Sequence, residues 1–170
     1  MKKITIDLKN YIENGSVFKR TAVRGIVKRD NKYLIIHSKY GDYKFPGGGK
    51  HSDEELMDTL IREVKEETGY DVKAETAKGY MEVLERRKGY PDDLMEMTSY
   101  YYICEVSEAA GERNLDDYEA EYDYQVEWLP LDEIIKKNEE IQDMEAIPWV
   151  AREIKVMRQL LEDEDTLSFV

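Results

Sequence analysis

Short runs of alternating and clustered hydrophobic positions mark the strands of this chain. Residues 21–29 (Thr-Ala-Val-Arg-Gly-Ile-Val-Lys-Arg) and 32–38 (Lys-Tyr-Leu-Ile-Ile-His-Ser) flank the turn pair Asp30-Asn31 and predict a hairpin. Residues 97–106 (Met-Thr-Ser-Tyr-Tyr-Tyr-Ile-Cys-Glu-Val) are rich in aromatic and β-branched side chains and predict a central strand. Further strands are expected between Val72 and Arg87 and through Tyr124 to Leu129. Three segments carry helical signals. The first runs from Ser52 to Thr68, opened by a capping box of Ser52 and Glu55 and stopped by Gly69. A second follows Pro130, from Asp132 to Asn138. The third occupies 146–162, with Pro148 suited to its first turn and Val150, Ile154, Met157 and Leu161 spaced to pack on a sheet. Strands mixed with helices in this order predict an α/β fold with helices on both faces. With no repeat and no Pro/Gly-rich seam, one domain over 1–170 is expected, residues 1–20 forming an N-terminal extension that pairs with the sheet or with a partner subunit.

Charge narrows the partners. Twenty-five Lys+Arg against 38 Asp+Glu leave a net charge of -13, which argues against electrostatic binding to nucleic acid or to an anionic membrane. An anionic small substrate stays possible where metal ions supply positive charge. The lone cysteine, Cys104, cannot form an internal disulfide. Apolar stretches are strand-sized, and charges interrupt the basic N-terminal segment, so a soluble cytoplasmic protein is expected.

The first helix carries the candidate chemistry. On a helical wheel Leu56, Met57, Leu60, Ile61 and Val64 gather toward the core, while Glu63 and Glu67, four apart, project side by side with Glu66 at the same edge. Like charges at these spacings each cost a few tenths of a kcal/mol, roughly, on an exposed helix, and more when desolvated. They also lie in the last turns, where the helix dipole disfavours negative charge. A hard divalent cation resolves the conflict, since Mg²⁺ takes carboxylates together with substrate phosphates. A solvated face relieved by Arg62 and Lys65 is the other reading of the helix alone. Just upstream, Phe45-Pro46-Gly47-Gly48-Gly49 allows close approach of a ligand to the backbone.

From Gly48 to Tyr70 the chain reads Gly48, five residues, Glu54, seven residues, then Arg62-Glu63-Val64-Lys65-Glu66-Glu67-Thr68-Gly69-Tyr70. This resembles the Nudix box, the loop-helix-loop signature of the Nudix hydrolases, with Tyr70 standing where an aliphatic residue is usual. The Trp128-Leu129-Pro130-Leu131-Asp132-Glu133 junction is also similar to that family. The resemblance implies an α/β/α sandwich with a central mixed β-sheet. It implies hydrolysis, dependent on Mg²⁺ or Mn²⁺, of a phosphoanhydride in a nucleoside diphosphate linked to another moiety. By resemblance Glu63 and Glu67 are the main metal ligands, with Glu66 beside them and the backbone carbonyl of Gly47, or Gly48, completing the set. Arg62 would orient the glutamates and Glu54 would support them. A homodimer is common in the family. The alternative is a non-catalytic Nudix-fold sensor of a nucleotide-like ligand, disfavoured because no box glutamate is missing.

Outside the box, the acidic stretch Asp116–Asp123 offers a base or extra ligand, Glu121 first and Asp123 second, because they precede the strand at 124–129. Arg86 and Arg87 are candidates for phosphate contact, the other reading being surface charge. Strand alternation sends Tyr101 to the face opposite Tyr100 and Tyr102. His37, His51, Cys104 and Trp149 read as structural. Where ADP-ribose hydrolases of the family commonly have a proline, this chain has Glu85-Arg86-Arg87, so triphosphates and nucleotide sugars both stay open.

Overall fold

The computed structural model describes residues 1–167 and 169. In chain order the elements are β1 (Lys2–Asp7), β2 (Val17–Ile26), β3 (Lys28–Arg29), β4 (Lys32–His37), β5 (Tyr43–Lys44), β6 (Gly47–Gly49) and α1 (Leu56–Thr68). They continue with β7 (Val72–Lys88), β8 (Leu94–Val106), α2 (Asp117–Glu121), β9 (Gln125–Leu129), α3 (Leu131–Glu139) and α4 (Val150–Asp163).

A mixed five-stranded sheet has the order β1-β7-β8-β2-β6, with the aromatic strand β8 at its centre. β8 runs parallel to β2 and antiparallel to β7, while β6 pairs antiparallel with β2 in the register Ala22–Gly49 and Arg24–Gly47. A second sheet is built on β4, which pairs antiparallel with β3, β5 and β9. Asp30 and Asn31 both take positive φ, 51° and 61°, the left-handed pair that turns the tight hairpin between β3 and β4. The N-terminal segment supplies β1, which adds to β7 in parallel register from Lys2–Met81 to Asp7–Arg86.

The sheets carry apolar side chains on both faces, as strands covered twice must. Leu60 and Val64 of α1 pack with Val23, Val27, Leu34, Cys104 and Val106. On the other face Ile134 and Ile135 of α3 and Val156, Met157 and Leu160 of α4 pack with Ile26, Tyr33, Ile35 and Tyr101. Leu34 and Ile35 thus serve opposite cores from adjacent positions, the period-two pattern of a strand. No helix among the described residues is long and apolar enough to cross a membrane.

The helices depart from the expected boundaries. α1 starts at Leu56 rather than Ser52, and its opening contact is the Glu55 amide donating to Asp58 Oδ2 at 2.9 Å. Residues 51–54 instead form a turn in which the His51 amide donates to Glu54 Oε2 at 3.0 Å. Gly69 ends the helix as expected, at φ 80°. Ile61 is 37% exposed, because the contact with β2 is centred on Leu60 and Val64. α4 occupies Val150–Asp163, and Pro148 lies in the turn before it. Its buried face is Val150, Glu153, Val156, Met157 and Leu160, rotated from the expected stripe so that Leu161 is 44% exposed. The rotation follows from Arg152 and Glu153, which enter the core as an ion pair that hydrophobic spacing does not register.

Candidate active site

Helical spacing puts Glu63 and Glu67 on the flank of α1 that adjoins the buried Leu60–Val64 face, and both carboxylates are buried while Glu66 is half-buried. A third carboxylate reaches them from α2. One oxygen each of Glu63, Glu67 and Glu119 lies within 4.8 Å of the others. The additional acid in this cluster is therefore Glu119, while Glu121 and Asp123 are exposed. Asp116 caps α2 by accepting from the Glu119 amide at 2.8 Å, and its own amide donates to Glu119 Oε1 at 3.0 Å. Residues two apart on a helix point about 200° apart, so a helix turned to bury Glu119 exposes Glu121. Asp123 sits beyond the helix at φ 55° and accepts from Gln125 Nε2.

The glycine run is a strand rather than a free loop, and it approaches these side chains closely. The Gly47 amide donates to Glu67 Oε2 at 2.9 Å. A Cβ on Gly48 would lie 2.6 Å from the Glu63 carboxylate, and one on Gly49 would lie 2.7 Å from the Arg20 guanidinium. Arg62 ties the strand to the helix: Nη1 donates to Glu63 Oε1 at 2.8 Å and Glu66 Oε2 at 3.2 Å, and Nη2 to the Gly49 carbonyl at 3.0 Å. It also holds Glu54, whose pKa falls to about 2 through the hydrogen bonds from Arg62.

Burial dominates the cluster's electrostatics. It raises Glu63, and it raises Glu67 well above the usual carboxylate range against the opposing pull of Lys44; Glu119 adds to the rise at Glu67. Lys44 Nζ stands 3.9 Å from Glu67 and over the Tyr124 ring at 4.5 Å, and burial lowers its pKa. Three convergent carboxylates held out of water match the oxygen-donor set of a hard divalent cation. Such an ion fits the residues present.

The cluster opens onto a cavity of about 430 Å³. Its sheet side carries Arg20, Arg24, Arg87 and Met97, its α4 side Arg152 and Trp149, and its α2 side Tyr118 and Tyr124. Arg87 pairs with Glu85, which also accepts from Arg152 Nη1 at 3.0 Å, and Arg152 Nη2 donates to Glu153 Oε1 at 3.1 Å. The two adjacent basic candidates separate by strand alternation: Arg87 faces the cavity, and Arg86 faces away, 3.5 Å from Glu96. Tyr101 is buried beneath Arg152 and accepts from its Nε at 3.0 Å. Trp149, expected to be structural, lines the cavity and donates to Asp42 Oδ2 at 2.7 Å. Neither histidine joins the cluster, as His37 lies by Glu127 and His51 by Glu54. Cys104 is buried in the α1-side core, its thiol pushed up to about 12.

Glu119, Arg20, Arg24, Lys44, Arg152 and Trp149 are among the cavity residues that the sequence reading missed. The spacing Arg20-x-Ala22-x-Arg24 was a usable signal, since Arg24 falls among apolar strand positions with a second cation on the same face, and a buried cation calls for a reason.

Comparisons with known proteins agree with this geometry. An ADP-ribose pyrophosphatase of Methanocaldococcus jannaschii is 31% identical over 105 residues, covering 59% of this chain and 59% of that protein. The match thus spans about three fifths of the relative's length. The MutT NUDIX hydrolase of Burkholderia pseudomallei shares the fold with a TM-score of 0.54 at 19% identity, over 68% of this chain and 85% of that one. A NUDIX hydrolase of Nitrosomonas europaea does so at 0.53 and 18%, over 82% and 90%. The NUDIX domain model matches residues 18–150, most of the chain, and spans the glycine strand, the glutamate helix and α2 together. The chain belongs to the Nudix hydrolase family.

Proposed function

We propose that this protein hydrolyses the phosphoanhydride bond of a nucleoside diphosphate derivative, a nucleoside triphosphate or nucleotide sugar, with Mg²⁺ or Mn²⁺ as cofactor. The observation that carries the reading is the convergence of buried Glu63, Glu67 and Glu119 on a cavity lined by cations. The activity in the name of the Methanocaldococcus jannaschii relative, ADP-ribose pyrophosphatase, belongs to the same reaction class.

Glu63, Glu67 and Glu119 would hold the cation, with Glu66 at the edge of the set and the Gly47 or Gly48 carbonyl as backbone donor. When bound, the ion screens diphosphate charge and activates water for attack. The protein's own groups do the rest. Arg62 keeps Glu63 and Glu66 in place, with Glu54 anchoring its guanidinium. The Gly47 amide fixes one oxygen of Glu67, and the carboxylate so oriented would help hold the ion. Glu119 takes the part first expected of Glu121 or Asp123, a further ligand or the proton acceptor. Cations on the sheet side bind phosphate, and Trp149, Tyr118 and Tyr124 exclude water around it.

The test is product release from a panel of nucleoside triphosphates and diphosphate derivatives, for wild type and Glu67→Gln, with Mg²⁺ and with Mn²⁺. Metal-dependent turnover that drops at least about a hundredfold in the variant is expected. Metal and nucleotide binding without turnover on any member would overturn hydrolysis in favour of a sensor.

A further inference from the structure

Among the described residues three arginines are buried, and two have carboxylate partners. Arg87 pairs with Glu85, and Arg152 with Glu85 and Glu153. Arg24 differs. It is 5% exposed, its Nε meets no hydrogen-bond acceptor, its side chain lines the cavity, and among the described residues it belongs to no ion pair. A guanidinium cannot escape burial by losing its proton, so an unmatched one is strongly unfavourable unless a ligand brings the anion.

Arg20 lies four residues earlier on the same face of β2, with the small Ala22 between them. It too lacks a carboxylate partner among the described residues, and its guanidinium rests against Gly49, whose register partner is Ala22. Partial loss of hydration beside the cavity, and after it repulsion from Arg24, lowers its pKa against the opposing pull of Glu63, so the two guanidinium groups stand close on one face of the strand. The Glu63 carboxylate rests against the adjacent Gly48. Consecutive residues of one strand therefore separate the carboxylate cluster from a pair of unpaired cations, both opening on one cavity.

We propose that Arg24 and Arg20 form an anion subsite for a phosphate beyond the scissile anhydride, so that the protein selects nucleoside triphosphates over diphosphates joined to a neutral sugar. The assignment rests on the hydrolase reading for the position of the scissile bond. A neutral sugar in this place would leave both guanidinium groups unmatched, whereas a terminal phosphate offers each of them charge-assisted acceptors. Arg87 and Arg152 are not candidates for the same task, because Glu85 and Glu153 already balance them.

The experiment measures calorimetric binding of the α,β-methylene analogues of ATP and of ADP-ribose, with Ca²⁺ present. It compares wild type, Arg24→Gln, Arg24→Lys and Arg20→Gln. Losing charge-assisted contacts to a phosphate should weaken the triphosphate analogue about thirtyfold in Arg24→Gln and about tenfold in Arg20→Gln. The ADP-ribose analogue should change less than about threefold, and Arg24→Lys should recover part of the loss. Equal weakening of both analogues, or tighter wild-type binding of the ADP-ribose analogue, overturns the subsite. Arg20 is solvent-accessible, so its variant decides the matter should Arg24→Gln fold poorly. Because binding is measured without turnover, absence of hydrolysis would strike the hydrolase reading and leave this difference to be judged by itself.

Discussion

Arg62 Nη2 donates to Glu54 Oε2 at 3.0 Å, joining a helix residue to a carboxylate that lies outside the helix. Glu54 belongs to the turn before α1, where Thr59 Oγ1 also donates to it at 2.8 Å. The same guanidinium holds Glu63 and the Gly49 carbonyl, so one cation sets the distance between the glycine strand and the candidate metal ligands.

Glu54→Gln should loosen that arrangement. A lost charged hydrogen bond costs about 1.5–3 kcal/mol where it is shielded, less where water competes. The expected result is destabilisation by about 1–2 kcal/mol with activity down about tenfold. The pH dependence has a definite sign. The folded pKa of about 2 lies below the ordinary 4.5, so the stabilisation is full above pH 4.5 and disappears as pH falls toward 2. Urea midpoints of wild type and variant should converge over that window. A gap that stays constant from pH 7 to pH 2.5 would contradict the pairing.

Gly48→Ala tests close approach without backbone strain, since Gly48 does not occupy the left-handed region. The added methyl would stand 2.6 Å from the Glu63 carboxylate, which must then move. Displacing a ligand by about 1 Å lowers turnover on the order of a hundredfold. Thermal melting should fall little, because no core contact is lost. Unchanged kcat in a folded variant would show that Glu63 has freedom to shift.

How far the sequence revealed this site depends on which interactions are local. The Asp30-Asn31 turn, the Gly69 cap and the shared edge of Glu63 and Glu67 follow from backbone preference and helical spacing, and all are present. Glu119 was hidden among five acids between Asp116 and Asp123, because a one-turn helix has no hydrophobic period to orient it. Arg152 and Glu153 were missed for the opposite reason: hydrophobic spacing assumes that charged residues stay outside, and these two enter with Glu85. Trp149 reads as structural from sequence because its aromatic ring is legible there and its cavity is not.

Glu119 and Glu121 can be separated by measurement. Mn²⁺ affinity, followed by the free-ion electron paramagnetic resonance signal, should weaken about ten- to a hundredfold in Glu119→Gln. Glu121→Gln and Asp123→Asn should stay within about twofold of wild type, their carboxylates being exposed away from the cluster. A stronger effect of Glu121→Gln would mean that α2 rotates when the ion binds.

Metal removal should expose the repulsion inside the cluster. The folded pKa of Glu67 is raised, so the protonated carboxyl favours the fold, and that stabilisation is lost as pH rises from the ordinary 4.5 through the folded value. In chelator at pH 7.5, Glu67→Gln should therefore be more stable than wild type, by about 1 kcal/mol or more. Added Mn²⁺ at a hundred times Kd should stabilise wild type by about 2.7 kcal/mol and the variant much less. Lower stability of the variant in chelator would show that Lys44 already neutralises Glu67 in the metal-free protein.

The buried pair of α4 gives the sharpest stability prediction. Arg152, 1% exposed, is the cation that Glu85 and Glu153 share, and Arg87 is an additional partner for Glu85 alone. Arg152→Leu keeps apolar bulk but leaves Glu153 with only the distant Tyr101 hydroxyl, 3.4 Å away. Breaking one side of such a pair costs about 3–5 kcal/mol, chiefly from the stranded charge. Adding Glu153→Gln should therefore restore about 1–2 kcal/mol rather than destabilise further, because it removes the charge that Arg152→Leu stranded. Urea denaturation of the two single variants and the double variant reads this coupling directly. Simple additivity would mean that Arg152 acts through packing, whereas recovery in the double variant shows that Glu153 is held in the core by its charge partner.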